Sequence, residues 1–136
     1  MKIKILTIVI LVFLSSCLGS DDNTQKSVIK DILHQIQSSF NQRDLSSIYR
    51  YYHRDFKHNG NTYDGIVAVW QDRYNRYSSV EIDIVDIDIN VDFAIAKIKV
   101  TFGREPTYID PEMHGDMSYF VYQFGEWKIV GNEYEY

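Results

Sequence analysis

The sequence predicts an α+β domain: three N-terminal helices followed by an antiparallel β-sheet. Three observations predict it. Apolar residues recur every three to four positions from Ser27 to Tyr77, they alternate with a period of two after Ser79, and tight-turn residues punctuate the second half.

In the first helix the stripe is Val28, Ile29, Ile32, Leu33, Ile36 and Phe40. Asn41 to Asp44 interrupts it, and Asp44 suits the N-cap of a second helix carrying Leu45, Ile48, Tyr49, Tyr52 and Phe56. A polar turn, His58-Asn59-Gly60-Asn61, follows. Asp64 is placed to cap a third helix with Ile66, Val69, Trp70, Arg73, Tyr74 and Tyr77 on one side.

After Ser79, Val80, Ile82 and Ile84 alternate with acidic residues, and so do Val85, Ile87 and Ile89. The phase slips once, between Ile84 and Val85, which marks a β-bulge. A two-residue turn at Val91-Asp92, with Ile84 as the extra residue, sets Ile89 opposite Ala94, Ile87 opposite Ala96, Val85 opposite Ile98 and Ile82 opposite Val100. Asp86 then meets Lys97 and Asp83 meets Lys99 on the other face. The acidic alternation is thus most simply a solvated sheet face and not a metal site.

A second hairpin, Met117–Phe124 and Trp127–Glu133, is expected to turn at Gly125-Glu126, pairing Tyr122 with Ile129 and Phe120 with Gly131. Its outer side would carry Tyr119, Val121, Gln123, Lys128, Val130 and Tyr134, a patch suited to a homodimer interface. The connection between the hairpins, Gly103 to Asp116, holds both prolines and is long enough to suggest a functional loop.

Lys2 and Lys4 precede an apolar run, Ile5 to Leu14, that is too short to span a bilayer, for which roughly twenty residues are needed. It ends at Leu14-Ser15-Ser16-Cys17, which resembles the bacterial lipobox. That resemblance implies a signal peptide over residues 1–16 and a lipid on Cys17, the mature N-terminus. The expected partner is the membrane, reached through that lipid, and the expected place is the cell envelope, at the outer membrane facing the periplasm if the cell is Gram-negative. Residues 17–26 read as lipidated Cys and tether, and 27–136 as the domain. Cys17 is the only cysteine. Its acylation leaves no thiol for catalysis, redox work or zinc.

Cleavage would leave 120 residues, enough for one domain, and losing two lysines takes the formal charge from −5 to −7. This acidic balance disfavours nucleic acid.

Phe40-Asn41-Gln42-Arg43-Asp44-Leu45, Tyr63-Asp64-Gly65-Ile66, Asp92-Phe93-Ala94 and Gly125-Glu126-Trp127-Lys128-Ile129, in this order and spacing, resemble the nuclear transport factor 2-like superfamily, which includes SnoaL-like and ketosteroid-isomerase-like proteins. The resemblance covers nearly all of residues 27–133. It implies helices lying over a curved sheet and leaving a cone-shaped pocket. In ketosteroid isomerases a general-base aspartate follows helix two; here Lys57-His58-Asn59 has no carboxylate. SnoaL-like relatives often carry histidines on the final strand, where this chain has Gly131 and Glu133.

His58 and Glu133 are therefore the candidate acid–base pair across that pocket. The simpler alternative leaves His58 facing solvent on a short edge strand and Glu133 exposed near the C-terminus. Tyr49, Tyr52, Trp70, Tyr74, Phe102 and Tyr122 fall on faces that should line or close the cone with Glu133. Core packing explains these aromatics first, and binding of a small apolar ligand second. His34 reads as a structural surface residue. His114 with Asp110, Glu112 and Asp116 has the residue types of a metal site, but solvated charge in a Pro-containing loop is the simpler account. Three functions remain: a non-catalytic tethered domain binding a small apolar ligand or a partner protein, a small cofactor-free lyase, isomerase or hydrolase, and a structural module whose pocket is filled by its own side chains. None needs a cofactor.

Overall fold

The computed structural model describes residues 21–135. The expected signal, Cys17 and the first part of the expected tether lie outside them. Helix α1, Asp22–Asn41, starts inside that tether: the Asp21 carbonyl accepts from Thr24 and Gln25, and Asp22 complements the helix dipole. Its apolar stripe buries Ile29, Ile32, Leu33, Ile36 and Phe40, while Val28 is left at the surface.

The second helix is one turn long: α2 spans Ser46–Tyr49. Leu45, not Asp44, occupies its N-cap position; Asp44, one residue earlier, accepts from the Ser46 and Ser47 hydroxyls and the Ser47 N–H. These bonds hold its carboxylate below the usual aspartate pKa. Beyond Tyr49 the chain leaves the helix because its backbone finds partners on a strand: His53 N–H donates to Ile129, Ile129 N–H to Tyr51, and Lys57 N–H to Val130. Ile48, Tyr52 and Phe56 nevertheless face the core.

Two short strands, β1 (Lys57–His58) and β2 (Asn61–Thr62), form a small hairpin that leads into α3, Tyr63–Arg76. Thr62 occupies the N-cap position and Asp64 lies one step inside, where its charge meets the helix dipole. The face of α3 turned inward carries Ile66, Trp70 and Arg73.

The main sheet contains β3 (Val80–Asn90), β4 (Phe93–Phe102), β5 (Tyr108–Asp110), β6 (Tyr119–Gln123) and β7 (Glu126–Ile129), all neighbours antiparallel. β3 pairs along one edge of β4. The other edge is shared, by β6 over Phe93–Ile95 and by β5 over Ile98–Val100. Alternate residues of β4, Ala94 through Phe102, form the buried floor under the helices.

The first hairpin keeps the expected pairs of Ile89, Ile87, Ile82, Asp86 and Asp83. One assignment is corrected. Ile84 lies opposite Ile98, and the extra residue is Val85, half exposed. The alternation requires one surplus residue but does not distinguish two adjacent β-branched ones. The second hairpin is shifted as well: Tyr122 faces Trp127 and Phe120 faces Ile129. Its turn is Phe124-Gly125, both with positive φ, which places the glycine second as a type I′ turn prefers. The supposed dimer patch is largely closed within the chain, for Val121 and Val130 are buried and His53 lies there, bonded to Gln123 and edge-on to Tyr134.

Candidate functional site

Most of the cone is filled by the chain's own rings. Phe40, Trp70 and Phe102 form a triangle with centroids 5.7, 5.8 and 6.1 Å apart. The Trp70 indole N–H donates to the Tyr52 hydroxyl at 2.9 Å, and Tyr52 packs edge-on against Phe56. Burial pushes the Tyr52 phenol well above its ordinary pKa, and nearby Asp116 adds to the effect.

Where α3, the end of β4 and the β5 loop diverge, a cleft of about 530 Å³ remains. Its walls include Phe56, Ile66, Val69, Tyr77, Phe102 and Tyr108, and its rim carries polar residues such as Asn61, Asp72 and Thr107. Arg73 and Asp116 lie at its base, joined by a 2.7 Å bond from Nη2 to Oδ2, each side chain only about a tenth exposed. Arg73 occupies the fourth place of a stripe otherwise apolar, so its charge is forced inward. Trp70 and Phe102 take its guanidinium on their rings, 4.8 and 4.9 Å from the centroids. Burial opposes that charge, yet Asp116, Tyr108 and Tyr52 outweigh it and hold the Arg73 pKa above its ordinary value.

Tyr108 and Asp110 belong to the same group, as alternate residues of β5 facing inward. Burial raises the Tyr108 phenol pKa. Asp110 is fully buried, and loss of water raises its carboxyl pKa; Asp116 pushes the same way, against bonds from the Gly115 and His114 backbones. Four buried polar atoms of this group have no hydrogen-bond partner among the described residues: Arg73 Nη1, Tyr108 OH, Asp110 Oδ2 and Asp116 Oδ1. Unpaired buried polar groups are costly; three of these, on Arg73, Tyr108 and Asp116, belong to residues that line the cleft, and Asp110 lies buried behind them.

His58 is buried and not, as the simpler expectation had it, facing solvent. Nδ1 accepts the Asn132 N–H at 3.1 Å, which leaves Nε2 to donate to the His114 carbonyl. Gly115 makes room for the ring and Gly131 for the backbone that carries it. A Cβ on Gly115 would lie 2.9 Å from His58 Cε1, and one on Gly131 only 2.3 Å from the Lys57 oxygen. His58 is thus a clasp for the loop that carries Asp116. Glu133 does not join it as an acid–base partner. It is exposed and accepts from the Gly60 N–H at 2.9 Å.

The other expected lining residues divide. Phe102 lines the cleft; Tyr52 and Trp70 are core beneath it. Tyr74 lies outside under the Arg43 guanidinium, 3.5 Å from the ring centroid, where Arg43 also caps the end of α3 through the Tyr74 and Tyr77 carbonyls. Tyr49 and Tyr122 border other surface grooves. The four loop residues weighed as metal ligands take other partners: Glu112 pairs with Lys97, Asp116 with Arg73, Asp110 accepts the His114 N–H, and the His114 ring packs on Tyr108. Among the described residues no group of three or more such side chains is arranged to hold a metal. The one legible hint of the true cluster was a charged Arg73 inside an apolar stripe, since a buried arginine requires a buried partner.

No protein-family model matches the chain, and no curated protein does. Solved structures do. An NTF2-like protein of unknown function from Shewanella baltica OS155 superposes with a TM-score of 0.65 at 14% identity, covering 83% of this chain and 94% of that one. Another, from Shewanella oneidensis MR-1, gives 0.63 at 16%, covering 79% and 95%. Bdellovibrio bacteriovorus Bd1075 gives 0.57 at 13%; the match covers 82% of this chain but only 40% of that protein. Likeness at this level of identity speaks for architecture alone. The helices, the antiparallel sheet and the cleft between them give this chain the NTF2-like fold.

Proposed function

We propose that the chain is a lipid-anchored envelope protein whose cleft binds a small molecule with an apolar body and one polar head. The observation that carries the reading is the set of unpaired polar atoms at the cleft base, below aromatic walls. A head with one acceptor and one donor, such as a hydroxyl, an amide or a carboxylic acid, would meet Arg73 Nη1 and Asp116 Oδ1 together. An apolar body would lie along Phe56, Ile66 and Phe102. The cleft volume is that of an ordinary small-ligand site. Cys17 acylation supplies the anchor in this reading, on the strength of the lipobox.

The test is extraction of the full chain, purified from envelopes, with mass spectrometry of the released small molecules. An Arg73→Met/Asp116→Leu double variant removes the charges together, a replacement that buried pairs tolerate far better than loss of one partner. The wild type should carry a molecule that the folded double variant lacks. Equal recovery from both would remove the cleft base from the account.

A further inference from the structure

Two turns stand side by side at one end of the sheet. Asn90 and Phe93 close the β3–β4 turn around Val91, and Gln123 and Glu126 close the β6–β7 turn around Phe124. The Tyr122 N–H donates to the Asp92 carbonyl at 2.7 Å and holds them together. Val91 and Phe124 are 83% and 94% exposed, and both have left-handed φ, 55° and 53°. Asparagine, aspartate or glycine normally fills such positions; a β-branched or aromatic side chain there is strained. Strain kept with no packing in return points to a use outside the folded chain.

The N-terminus of α1 reaches the same end. Asn41, at the other end of α1, bonds to the start of β3, so the helix runs back beside that strand towards its turn. In its first turns Gln25 accepts from the Trp127 indole N–H. Val28 and Tyr122, both partly exposed, border the groove between them. Four residues separate Cys17 from Asp22, so a lipid on Cys17 enters its membrane within about 17 Å of the helix start, the length of five extended steps.

We propose that this end of the sheet, led by Phe124 and Val91, rests in the interfacial layer of the phospholipid membrane that holds the Cys17 lipid. The inference relies on the lipoprotein reading. No described helix is long and apolar enough to cross a bilayer, so the contact is a shallow one. Aromatic rings favour that depth. The turn tips themselves carry no basic residue: Asp92 follows Val91, and Glu126, two residues past Phe124, pairs with Lys128; Arg50 and Arg54 lie deeper in the groove beside Phe124, so the contact led by the tips is apolar and does not depend on anionic lipid. The cleft lies at the Phe102 end of β4, some ten residues or about 30 Å from these turns, and is therefore set apart from the surface.

The experiment uses the mature, acylated chain in vesicles of pure phosphatidylcholine and of phosphatidylcholine with phosphatidylglycerol. Acylation occupies Cys17, so Phe124→Cys introduces a unique thiol for an environment-sensitive dye, and Met113→Cys at the cleft gives the solvent reference. The dye at 124 should shift to the blue equally in both vesicle types and be quenched by headgroup-proximal spin-labelled lipid; the dye at 113 should not. Dyes that behave alike at 124 and 113 in an acylated chain overturn the proposal and leave the anchor standing. A blue shift already present without vesicles, growing with protein concentration, means a second copy covers the turns, and overturns it as well. A mass without acyl groups on Cys17 overturns the anchor, and this inference with it.

Discussion

Asn41 and Val80 are joined by a reciprocal pair of hydrogen bonds: Asn41 Nδ2 donates to the Val80 carbonyl at 3.1 Å, and its Oδ1 accepts the Val80 N–H at 2.8 Å. One helical turn earlier, Gln37 Oε1 accepts the Ile82 N–H at 2.6 Å. Four residues of helix rise about 6 Å and two residues of strand about 6.6 Å, so the side chains keep step with alternate strand residues. Helix α1 thereby covers the open edge of β3, which would otherwise offer unpaired groups to another chain.

Asn41→Ala should therefore cost about 1–3 kcal/mol, because two groups of a buried residue lose their partners. Urea unfolding measures it. Asn41→Asp should be no better, since a carboxylate would face the Val80 carbonyl. A loss within experimental error for both would mean water replaces the side chain.

Val85 tests the bulge. As the half-exposed extra residue, Val85→Thr should change stability by no more than about 0.5 kcal/mol. Ile87→Ala, a truncation at 2% exposure, should cost about 2–5 kcal/mol. A large loss at Val85 would restore the alternative in which Ile84 is the surplus residue.

Asp110 sets a pH dependence. Its folded pKa lies above the ordinary 3.8, so the folded state holds a proton that the unfolded state gives up first. The stability linked to it is fully present below pH 3.8 and is lost as pH rises through the folded value. Asp110→Asn keeps an acceptor for the His114 and Gly115 N–H groups and cannot ionise. The stability of the wild type relative to this variant should thus fall as pH rises above 3.8 and then level off. Parallel curves would show that Asp110 ionises as easily folded as unfolded.

The layers of the domain were legible because each rests on a repeat. The period of α1 and α3 and the alternation of β3 and β4 are long enough to fix faces. What failed was decided by single residues. The α2 stripe of Ile48, Tyr52 and Phe56 is buried as expected, yet only Ile48 lies in the helix, because spacing cannot reveal that Ile129 and Val130 offer backbone partners. The turn at Phe124-Gly125 differs from the expected one by a single step. The site was the least legible part. Tyr108, Asp110 and Asp116 come from a connection without a period, and only Arg73 carried a sequence signal of their meeting.

The shared edge of β4 has a consequence for how such a cleft can diversify. β5 and β6 lie along the same border as two halves of an interrupted strand, with Pro111 to Ser118 between them. Ser118 is already tied to β4, accepting the Ala96 N–H, but residues added or removed before the buried Met117 need not disturb a ladder pair on either side, while they reshape the wall that presents His114 and Asp116. The length of that wall is thus uncoupled from the floor, whose residues from Ala94 to Phe102 keep their pairing with β3 whatever the gap contains.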